Sequence, residues 1–435
     1  MTQALRSWGR YPDLPQSGHV PGWRSELAET LRHAGAQGDT LAFGNGRSYG
    51  DSCLAESGHV IAMRALDRII SVDWEHGIIA AEAGVTLSQI LELAVPEGWF
   101  LAVTPGTQYA TLGGAIANDV HGKNHHVRGT FGNHVRQFGL LREQQLFTCS
   151  PQDNPQLFQA TIGGLGLTGI IAWAEIQLIP IKTSQINSTV VRFGSLGEFF
   201  ALSEELDSQH EYSVAWIDCL AKGEQTGRGV FIVGDHAPYG TLEAKSGRTL
   251  SVPLTPPISL INNLSLRCFN EAYWRLHPAM RTQTRSEYEP FFYPLDKIRH
   301  WNRVYGRRGF QQCQCVIPDS NAEPAMHELM NAIAAAGQGS FLAVLKRCGP
   351  SISPGLLSFP LPGTSLALDF PQQARLAGLF QRLDEIVHQA GGRLYPAKDA
   401  HMRGSDFRAA YPQWEQLERL RDPSLMSRFW KRVTE

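Results

Sequence analysis

The chain has 435 residues, of which 43% are hydrophobic and 18% charged, and its formal net charge is −2. This composition is typical of a folded protein with one large or a few smaller domains, and it excludes an intrinsically disordered chain. The near-neutral charge provides no bulk attraction to nucleic acid. Seven cysteines stand without a CxxC pair, which argues against a disulfide framework or a zinc site and favours a reducing compartment.

The first residues, MTQALRSWGRYPDLPQ, lack the apolar core of a signal peptide. No run of about 18 apolar residues predicts a membrane span. Short apolar runs then alternate with glycine-rich turns, and an amphipathic pattern that opens at Thr86 and stops before Gly98 predicts a helix. Strands are predicted at 40–43, 60–66, 69–73, 77–84 and 170–180.

The sequence texture changes near residue 182, where glycine becomes less frequent. Strands predicted at 312–318 and 364–370 alternate with a helix predicted at 322–337, and the last forty residues have a helical pattern. The segment 251–266, SVPLTPPISLINNLSL, is apolar and contains prolines, which predicts a surface loop. The whole pattern predicts an α+β protein with two domains.

Three glycine-rich segments are candidates for binding an anion: GNGRSYGDS at 44–52, TPGTQYATLGGA at 104–115 and GGLGLTG at 163–169. Glycine permits positive φ angles, so that successive backbone amides can converge on phosphate oxygens. Any one segment could be a simple turn, but three together indicate a long anionic ligand such as a dinucleotide. The third matches GxGxxG with a helix before it and a strand after it, which is the reverse of the Rossmann order.

The string HGKNHH at 121–126 has three interpretations. A metal site would need Asp119, His121 and His125 to converge, but adjacent histidines diverge in regular structure and no HExxH occurs. A solvated polar loop is the second interpretation. In the third, His121 and Lys123 form the wall of a pocket and bind an anionic group of a substrate. We predict no metal.

These segments, together with FGNHV, AWIDC, YPLDKIRHWNRVYGRRGFQQCQCVIP, FLAVLKRCGP, GGRLYPAKD and DPSLMSRFW, resemble the vanillyl-alcohol oxidase superfamily of FAD-dependent (PCMH-type) oxidases. The resemblance covers nearly the whole chain and is greatest to the branch that oxidises lipid-linked ribose. It implies an α+β fold, in which a two-lobed FAD-binding domain is interrupted by a substrate domain with an antiparallel sheet flanked by helices. The implied domain limits are residues 1–182 for the FAD-binding domain and 183–392 for the substrate domain. Residues 393–435 are expected to return to the FAD-binding domain.

The resemblance implies FAD as a non-covalent cofactor, because Arg47 stands where many members carry the histidine that attaches the flavin. The first glycine loop and the turn at 105–107 are expected to hold the pyrophosphate through backbone amides. The expected cofactor-binding residues are Gly44, Asn45, Gly46, Arg47, Ser48, Tyr49, Gly50, Asp51, Pro105, Gly106, Thr107, Thr111, Gly113, Gly114, Ala117, Asn118, Gly122, Gly166, Ile170 and Tyr395.

The resemblance also implies the catalytic residues, which are Lys398 in YPAKD together with His121 and Tyr395. A partly desolvated lysine has a lowered pKa and can accept a proton. Gln312 and Gln314 lie two apart on a predicted strand, so they point the same way, either into a pocket or to an exposed sheet face. The expected substrate-binding residues are Lys123, Trp216, Gln312, Gln314, Lys346 and Ala367, the last replacing a family cysteine.

The implied reaction is oxidation of a sugar secondary alcohol to a ketone, at C2 of the ribose of a polyprenyl-phosphate ribose. A short-chain dehydrogenase/reductase partner would then complete epimerisation to arabinose. One alternative is an aldonolactone or soluble-polyol oxidase, whose members usually carry the missing histidine. Another is a flavin-binding protein without catalysis, which the presence of Lys398 disfavours. The expected location is cytoplasmic, with peripheral contact at the inner membrane through 251–266 and the periplasmic face left open.

Overall fold

The computed structural model describes residues 4–243 and 249–435. In chain order its strands are β1 Ser17–His19, β2 Ala42–Phe43, β3 His59–Ala62, β4 Ile69–Asp73, β5 Ile78–Glu82, β6 Trp99–Leu101, β7 Val135–Arg142, β8 Gln145–Cys149, β9 Ile170–Pro180, β10 Gln185–Phe193, β11 Tyr212–Ile217, β12 Gly229–His236, β13 Leu250–Ser251, β14 Thr282–Glu287, β15 Ile298–Arg299, β16 Phe310–Pro318, β17 Ala343–Cys348, β18 Gly363–Pro371 and β19 Arg393–Leu394.

The α-helices are α1 Leu27–Gly35, α2 Leu87–Ala94, α3 Leu112–Ala117, α4 His125–Arg128, α5 Pro155–Thr161, α6 Leu196–Leu206, α7 Asn263–Leu276, α8 Tyr288–Phe292, α9 Ala322–Ala336, α10 Leu376–Gln389, α11 Gly404–Ala410, α12 Trp414–Leu420 and α13 Arg428–Thr434. No helix in the described part of the chain is both long and apolar enough to cross a membrane.

Two predicted boundaries were wrong for local reasons. The strand predicted at 60–66 ends at Ala62, and a 3-10 turn follows. The surface loop predicted at 251–266 ends before α7, because the side chain of Asn262 accepts hydrogen bonds from the amides of Leu264 and Ser265 and so starts a helix there.

The N-terminal half of the chain forms two small sheets. A three-stranded parallel sheet has the order β1-β3-β2, and a larger antiparallel sheet has the order β4-β5-β9-β7-β8, with β6 also paired to β9. The apolar faces of α2 and α3 pack with the larger sheet in one hydrophobic core. The loops between these strands and helices include all three glycine-rich segments.

An eight-stranded antiparallel sheet follows, with the order β14-β10-β12-β11-β17-β18-β16-β19. One face packs on α6, α9 and α10, and on this face lie Cys313, Cys315 and Leu368. Successive residues of a strand point to opposite faces, so the neighbouring Gln312 and Gln314 lie on the other face. This arrangement confirms the predicted α+β fold with an antiparallel sheet flanked by helices.

The C-terminal segment contacts both halves. β19 pairs with β16 at the edge of the eight-stranded sheet. Further along, Thr40 and Leu425 form an isolated parallel bridge, and Ala55 and Ser427 form an antiparallel one. These contacts support a return of the chain to the first half, while the exact domain limits at 182 and 392 stay predictions.

Candidate active site

A cavity of about 540 Å³, called here the central cavity, lies between the glycine-rich segments and the polar face of the eight-stranded sheet. All three segments contribute to its wall, and so do β11, β16, β17, β18 and the YPAKD turn. The fold therefore brings together side chains that are up to several hundred residues apart in sequence.

The first glycine segment is held against the second by a side-chain hydrogen bond. The Asn45 amide nitrogen donates to the Tyr109 carbonyl at 2.8 Å. Gly46 has a φ of +59°, a left-handed conformation that a turn of this kind requires and that side chains disfavour. The next residue, Arg47, is largely buried, with its guanidinium 4.1 Å from the Trp8 ring centroid. Its Nε has no hydrogen-bond partner among the described residues.

The second segment is fixed by a carboxylate and by a helix cap. Asp296 accepts hydrogen bonds from the Thr107 hydroxyl at 2.9 Å and from the Gln108 amide at 2.8 Å. Thr111 caps α3 by accepting from the Gly114 amide. Gly106 lines the cavity, and a Cβ atom there would meet nothing within 4 Å, so the backbone of this turn is open to a ligand. These features fit a bound FAD.

The third segment has the predicted order, with α5 before it and β9 after it. Leu165 and Gly166 line the central cavity, and Gly166 has a φ of +75°. The wall contributed here is made by a turn between a helix and a strand, which confirms that this GxGxxG string is not part of a Rossmann unit.

The YPAKD turn is joined to the first glycine segment along the backbone. The Tyr49 amide donates to the Ala397 carbonyl at 3.1 Å, and the Asp51 amide donates to the Asp399 carbonyl at 3.3 Å. Arg432 of α13 then bridges both carboxylates, at 3.0 Å from Asp51 and 2.8 Å from Asp399. Because Asp399 is the neighbour of Lys398, this ion-pair bridge fixes the position of Lys398 relative to the first glycine segment.

Lys398 lines the central cavity, with its Nζ 3.8 Å from the centroid of the Tyr49 ring. Burial lowers the pKa of Lys398 to about 8, opposed by the carboxyl of Asp369 and assisted by the nearby Arg47 guanidinium. A lysine with this pKa exists in both protonation states near neutral pH, so it can accept a proton from a reacting hydroxyl.

His121 contacts the sheet through Gln314, whose amide nitrogen lies 3.0 Å from His121 Nε2. Burial and the nearby Lys346 hold the pKa of His121 well below its usual range, so the ring is neutral. Because Gln314 donates to Nε2, the ring proton belongs on Nδ1. His121 lines the cavity, and its Nδ1 is buried without a hydrogen-bond partner among the described residues.

Tyr395 and Trp216 also line the cavity, but their polar atoms are directed at backbone. The Tyr395 hydroxyl donates to the Asn118 carbonyl at 2.8 Å, and its ring stacks on Phe359 at 4.6 Å. The Trp216 indole nitrogen donates to the Phe341 carbonyl at 3.1 Å. Both side chains thus line the cavity with their polar atoms already paired to the backbone, and the catalytic role expected for Tyr395 stays a prediction.

Two lysines form a basic surface next to His121. Lys346 donates to the Gly122 carbonyl at 2.6 Å, and Lys123 donates to the Phe291 carbonyl. Burial lowers the pKa of Lys346 to about 8. Burial, together with the charge of Lys346, lowers the pKa of Lys123 to about 7. Both ammonium groups face backbone carbonyls rather than carboxylates, and this arrangement favours an anionic ligand.

The remaining histidines of the HGKNHH region hold the backbone in place. His125 Nδ1 accepts from the Gly349 amide at 3.1 Å, and His126 Nε2 lies 3.0 Å from the His210 carbonyl. Asp119 accepts from the hydroxyls of Ser353 and Ser358. Within residues 4–243 and 249–435, no group of three or more His, Cys, Asp or Glu side chains is arranged to hold a metal ion.

Most of the predicted site residues line the central cavity, including Lys123, Gln312, Gln314, Lys346 and Ala367. The predicted cofactor contacts Gly50, Asp51 and Ile170 do not line it.

Each exception has a physical reason. A side chain at Gly50 would collide with the Asp399 carbonyl, so this glycine serves chain packing. Asp51 is turned to Arg432, and Ile170, the first residue of β9, is fully buried in the core.

The sequence reasoning missed Asp369, a fully buried carboxyl on β18 that accepts from the Gln312 amide nitrogen at 2.5 Å. Ser365, Ala367 and Asp369 alternate with large apolar residues along the strand. That alternation, small or polar against Leu366, Leu368 and Phe370, was the available signal.

Comparison with known proteins agrees with this geometry. The profile of the FAD binding domain family matches residues 19–150. Decaprenylphosphoryl-β-D-ribose oxidase of Mycolicibacterium smegmatis is 36% identical, over 97% of this chain and 95% of its own length. An uncharacterized protein in the mprA 5′ region of Streptomyces coelicolor is 34% identical, over 78% of this chain and 96% of its own length. A putative D-arabinono-1,4-lactone oxidase of Neurospora crassa is 28% identical, over only 40% of this chain and 32% of its own length.

Proposed function

Since this chain belongs to the family of FAD-dependent oxidases that includes decaprenylphosphoryl-β-D-ribose oxidase, we propose that it oxidises the C2 hydroxyl of a polyprenyl-phosphate ribose to a ketone. The observation that carries this proposal is the composition of the central cavity. Its wall combines glycine segments suited to FAD with Lys398 and the basic surface of Lys123 and Lys346.

FAD supplies the acceptor for the hydride that leaves C2. The protein must remove the hydroxyl proton, and Lys398 Nζ in its neutral form is placed to take it. His121, which lines the cavity, and the oxygen of the Gln312 amide can fix the orientation of the sugar hydroxyls. The alcohol thus loses one hydride, which carries two electrons and one proton, and a second proton passes to the lysine.

The basic surface supports a phosphate group on the substrate. Lys346 is close enough to Lys123 to lower its pKa, and burial lowers the pKa of both lysines in the absence of a counter-charge. A phosphate between them would raise both pKa values, because an opposite charge favours the protonated form. Binding of the substrate is therefore expected to be accompanied by proton uptake near pH 7.

The proposal is tested by mixing the purified FAD-loaded protein with polyprenyl-phosphate ribose under anaerobic conditions and following the flavin absorbance. Bleaching by this substrate, with formation of the 2-keto sugar in the products, is the expected result. Bleaching by D-arabinono-1,4-lactone or free polyols alone would favour the soluble-substrate alternative. If neither class of substrate bleaches the flavin, both assignments are contradicted.

The cofactor is expected to be released on denaturation. Arg47 occupies the candidate attachment position and an arginine cannot form the covalent bond to flavin that a histidine makes. Acid precipitation should therefore leave all flavin absorbance in the supernatant. The control is a covalent flavoprotein treated in parallel, and colour retained in the washed pellet would contradict the prediction.

We further propose peripheral contact with a membrane surface through α7 and the segment before it. Exposed large apolar side chains cluster there, namely Leu250, Leu254, Ile258, Leu260, Leu264, Phe269, Leu276 and Met280. The inner side of α7 is anchored, because Asn270 donates to the buried Asp218 at 2.7 Å, and Tyr273 lines the central cavity. Exposed Arg267 and Arg275 suit anionic lipid. A lipid-linked substrate could then reach the cavity without leaving the bilayer surface.

Membrane contact is tested by flotation of the protein with vesicles containing phosphatidylglycerol. Replacing two exposed side chains at once, Leu254→Asp and Leu276→Asp, is expected to reduce the bound fraction several-fold, because buried apolar area drives interfacial binding. Leu146→Asp on the β7–β8 hairpin, where the leucine is also exposed but lies outside the cluster, is the control. Equal binding of both variants would contradict the proposed surface.

The 2-keto product would keep its lipid phosphate, so a reductase working on the same surface would be required to complete epimerisation. A short-chain dehydrogenase/reductase that delivers hydride to the opposite face of C2 is the partner we propose. Its support comes only from the chemistry of the proposed product.

A further inference from the structure

Asp369 lies directly behind the wall of the central cavity, opposite Gln312 in the register of β16 and β18. Residues opposed in an antiparallel pair share a face, so both side chains point toward the cavity side of the sheet. Asp369 Oδ1 accepts from the Gln312 amide nitrogen at 2.5 Å. Its Oδ2 is buried without a hydrogen-bond partner among the described residues. A buried, half-paired carboxyl is costly and calls for an explanation.

We infer that Asp369 is a positioning residue for the oxidation, which orients the Gln312 amide at the wall of the central cavity and places a carboxyl on the same side of the sheet as Lys398. This inference rests on the proposed role of Lys398 as proton acceptor. In its ionised form the Asp369 carboxylate only accepts hydrogen bonds, and it then fixes the Gln312 amide with its nitrogen toward β18. The amide oxygen is then the atom left to accept a bond from a sugar hydroxyl.

Asp369 acts on Lys398 through space, with Tyr49 next to both. Burial raises the pKa of Asp369 to about 7, which Gln312 and Lys398 oppose. The Asp369 carboxylate in turn raises the pKa of Lys398 against burial. Arg47 is the other charged group that acts on this pair, and it lowers the pKa of Lys398. The pair in turn shifts its neighbours, since Asp369 raises the pKa of Tyr49 and Tyr305 and Lys398 lowers the pKa of His121.

The sign of the effect follows from these charges. An ionised Asp369 favours the protonated form of Lys398, and Arg47 favours the neutral form. Removing the carboxylate leaves burial and Arg47, both of which lower the pKa of Lys398. Asp369→Asn should therefore shift the titration of Lys398 to lower pH, by about one unit or more.

The experiment is a pH titration of the FAD-loaded protein labelled with ¹³C-lysine, followed by NMR. The chain has eight lysines, so the spectrum is simple, and the signal lost in Lys398→Arg assigns Lys398. The wild-type signal should show two inflections, one near the pKa of Lys398 and a second as Asp369 titrates. In Asp369→Asn the second inflection should disappear and the first should move to lower pH.

Asp384→Asn is the matched control, because Asp384 is also a buried carboxyl but pairs with His401 instead. An unchanged Lys398 midpoint in Asp369→Asn, or a shift of equal size in Asp384→Asn, would overturn the inference. If Asp369→Asn does not fold, a wild-type titration with a single inflection would overturn it as well.

A kinetic readout separates this inference from the proposed function. The pH at half-maximal flavin bleaching should fall in Asp369→Asn by the same amount as the NMR midpoint. If polyprenyl-phosphate ribose does not bleach the wild-type flavin, the proposed function fails, whereas the NMR shift still decides the role of Asp369.

Discussion

Lys398→Met should bind FAD normally and yet bleach it with substrate at least about 100-fold more slowly than the wild type, since a positioned general base contributes roughly 10²–10⁴-fold. Lys398 lines the central cavity above Tyr49, and it is held there by the backbone pairing of the YPAKD turn with the first glycine segment. Methionine fills similar volume but has no basic atom, so the hydroxyl proton would lose its acceptor.

The pH dependence of the bleaching rate shows which protonation state of Lys398 is active. Only the neutral form of Lys398 can accept a proton, and its pKa is lowered to about 8. The wild-type bleaching rate should therefore rise with pH, reach half of its maximum near the pKa of about 8, and level above about pH 9. Stopped-flow absorbance under anaerobic conditions measures this rate directly.

Two variants make the interpretation specific. Lys398→Arg retains the positive charge but cannot lose a proton in this range, so it should be nearly as slow as Lys398→Met if proton transfer is the function. Lys222→Met replaces a lysine exposed on the surface and should leave the rate unchanged. Normal bleaching by Lys398→Met would remove Lys398 from the mechanism.

The cofactor side of the site could be predicted from sequence because it is built from short continuous strings. The segments at 44–52 and 104–115 each contain their own turn and most of their own wall residues. Lys398 and the two glutamines also lie in distinctive short strings. Where a strand or helix has one clear period, as at 170–180, its position was predicted correctly.

What could not be predicted depends on contacts between distant parts of the chain. Asp51 was expected to bind cofactor, but its partner Arg432 lies 381 residues away and no local pattern pairs them. Asp369 was missed because its contact with Gln312 depends on the register of β18 against β16. The lowered pKa values of Lys123 and Lys346 arise from burial, which the packed structure determines.

Arg432 is the second residue whose replacement should have a large effect, on stability and on FAD retention. It lies between Asp51 and Asp399, both only 2% exposed, and it donates to the two carboxylates. Removing one partner of a buried ion pair costs about 3–5 kcal/mol, because the remaining charge is left without compensation. In Arg432→Met two carboxylates would remain, close enough to repel each other.

We therefore expect Arg432→Met to lower the thermal midpoint by about 5 °C or more and to lose FAD on desalting. Arg428→Met is the matched control, because Arg428 lies on the same helix but pairs at 3.4 Å with the exposed Glu56, and exposed pairs contribute under about 1 kcal/mol. Adding Asp51→Asn to Arg432→Met should recover part of the loss, since it removes one uncompensated charge. An unchanged midpoint in Arg432→Met, or equal losses in both arginine variants, would mean that the bridge does not hold the YPAKD turn against the first glycine segment. The position of Lys398 would then depend on the backbone pairing at Tyr49 and Asp51 alone.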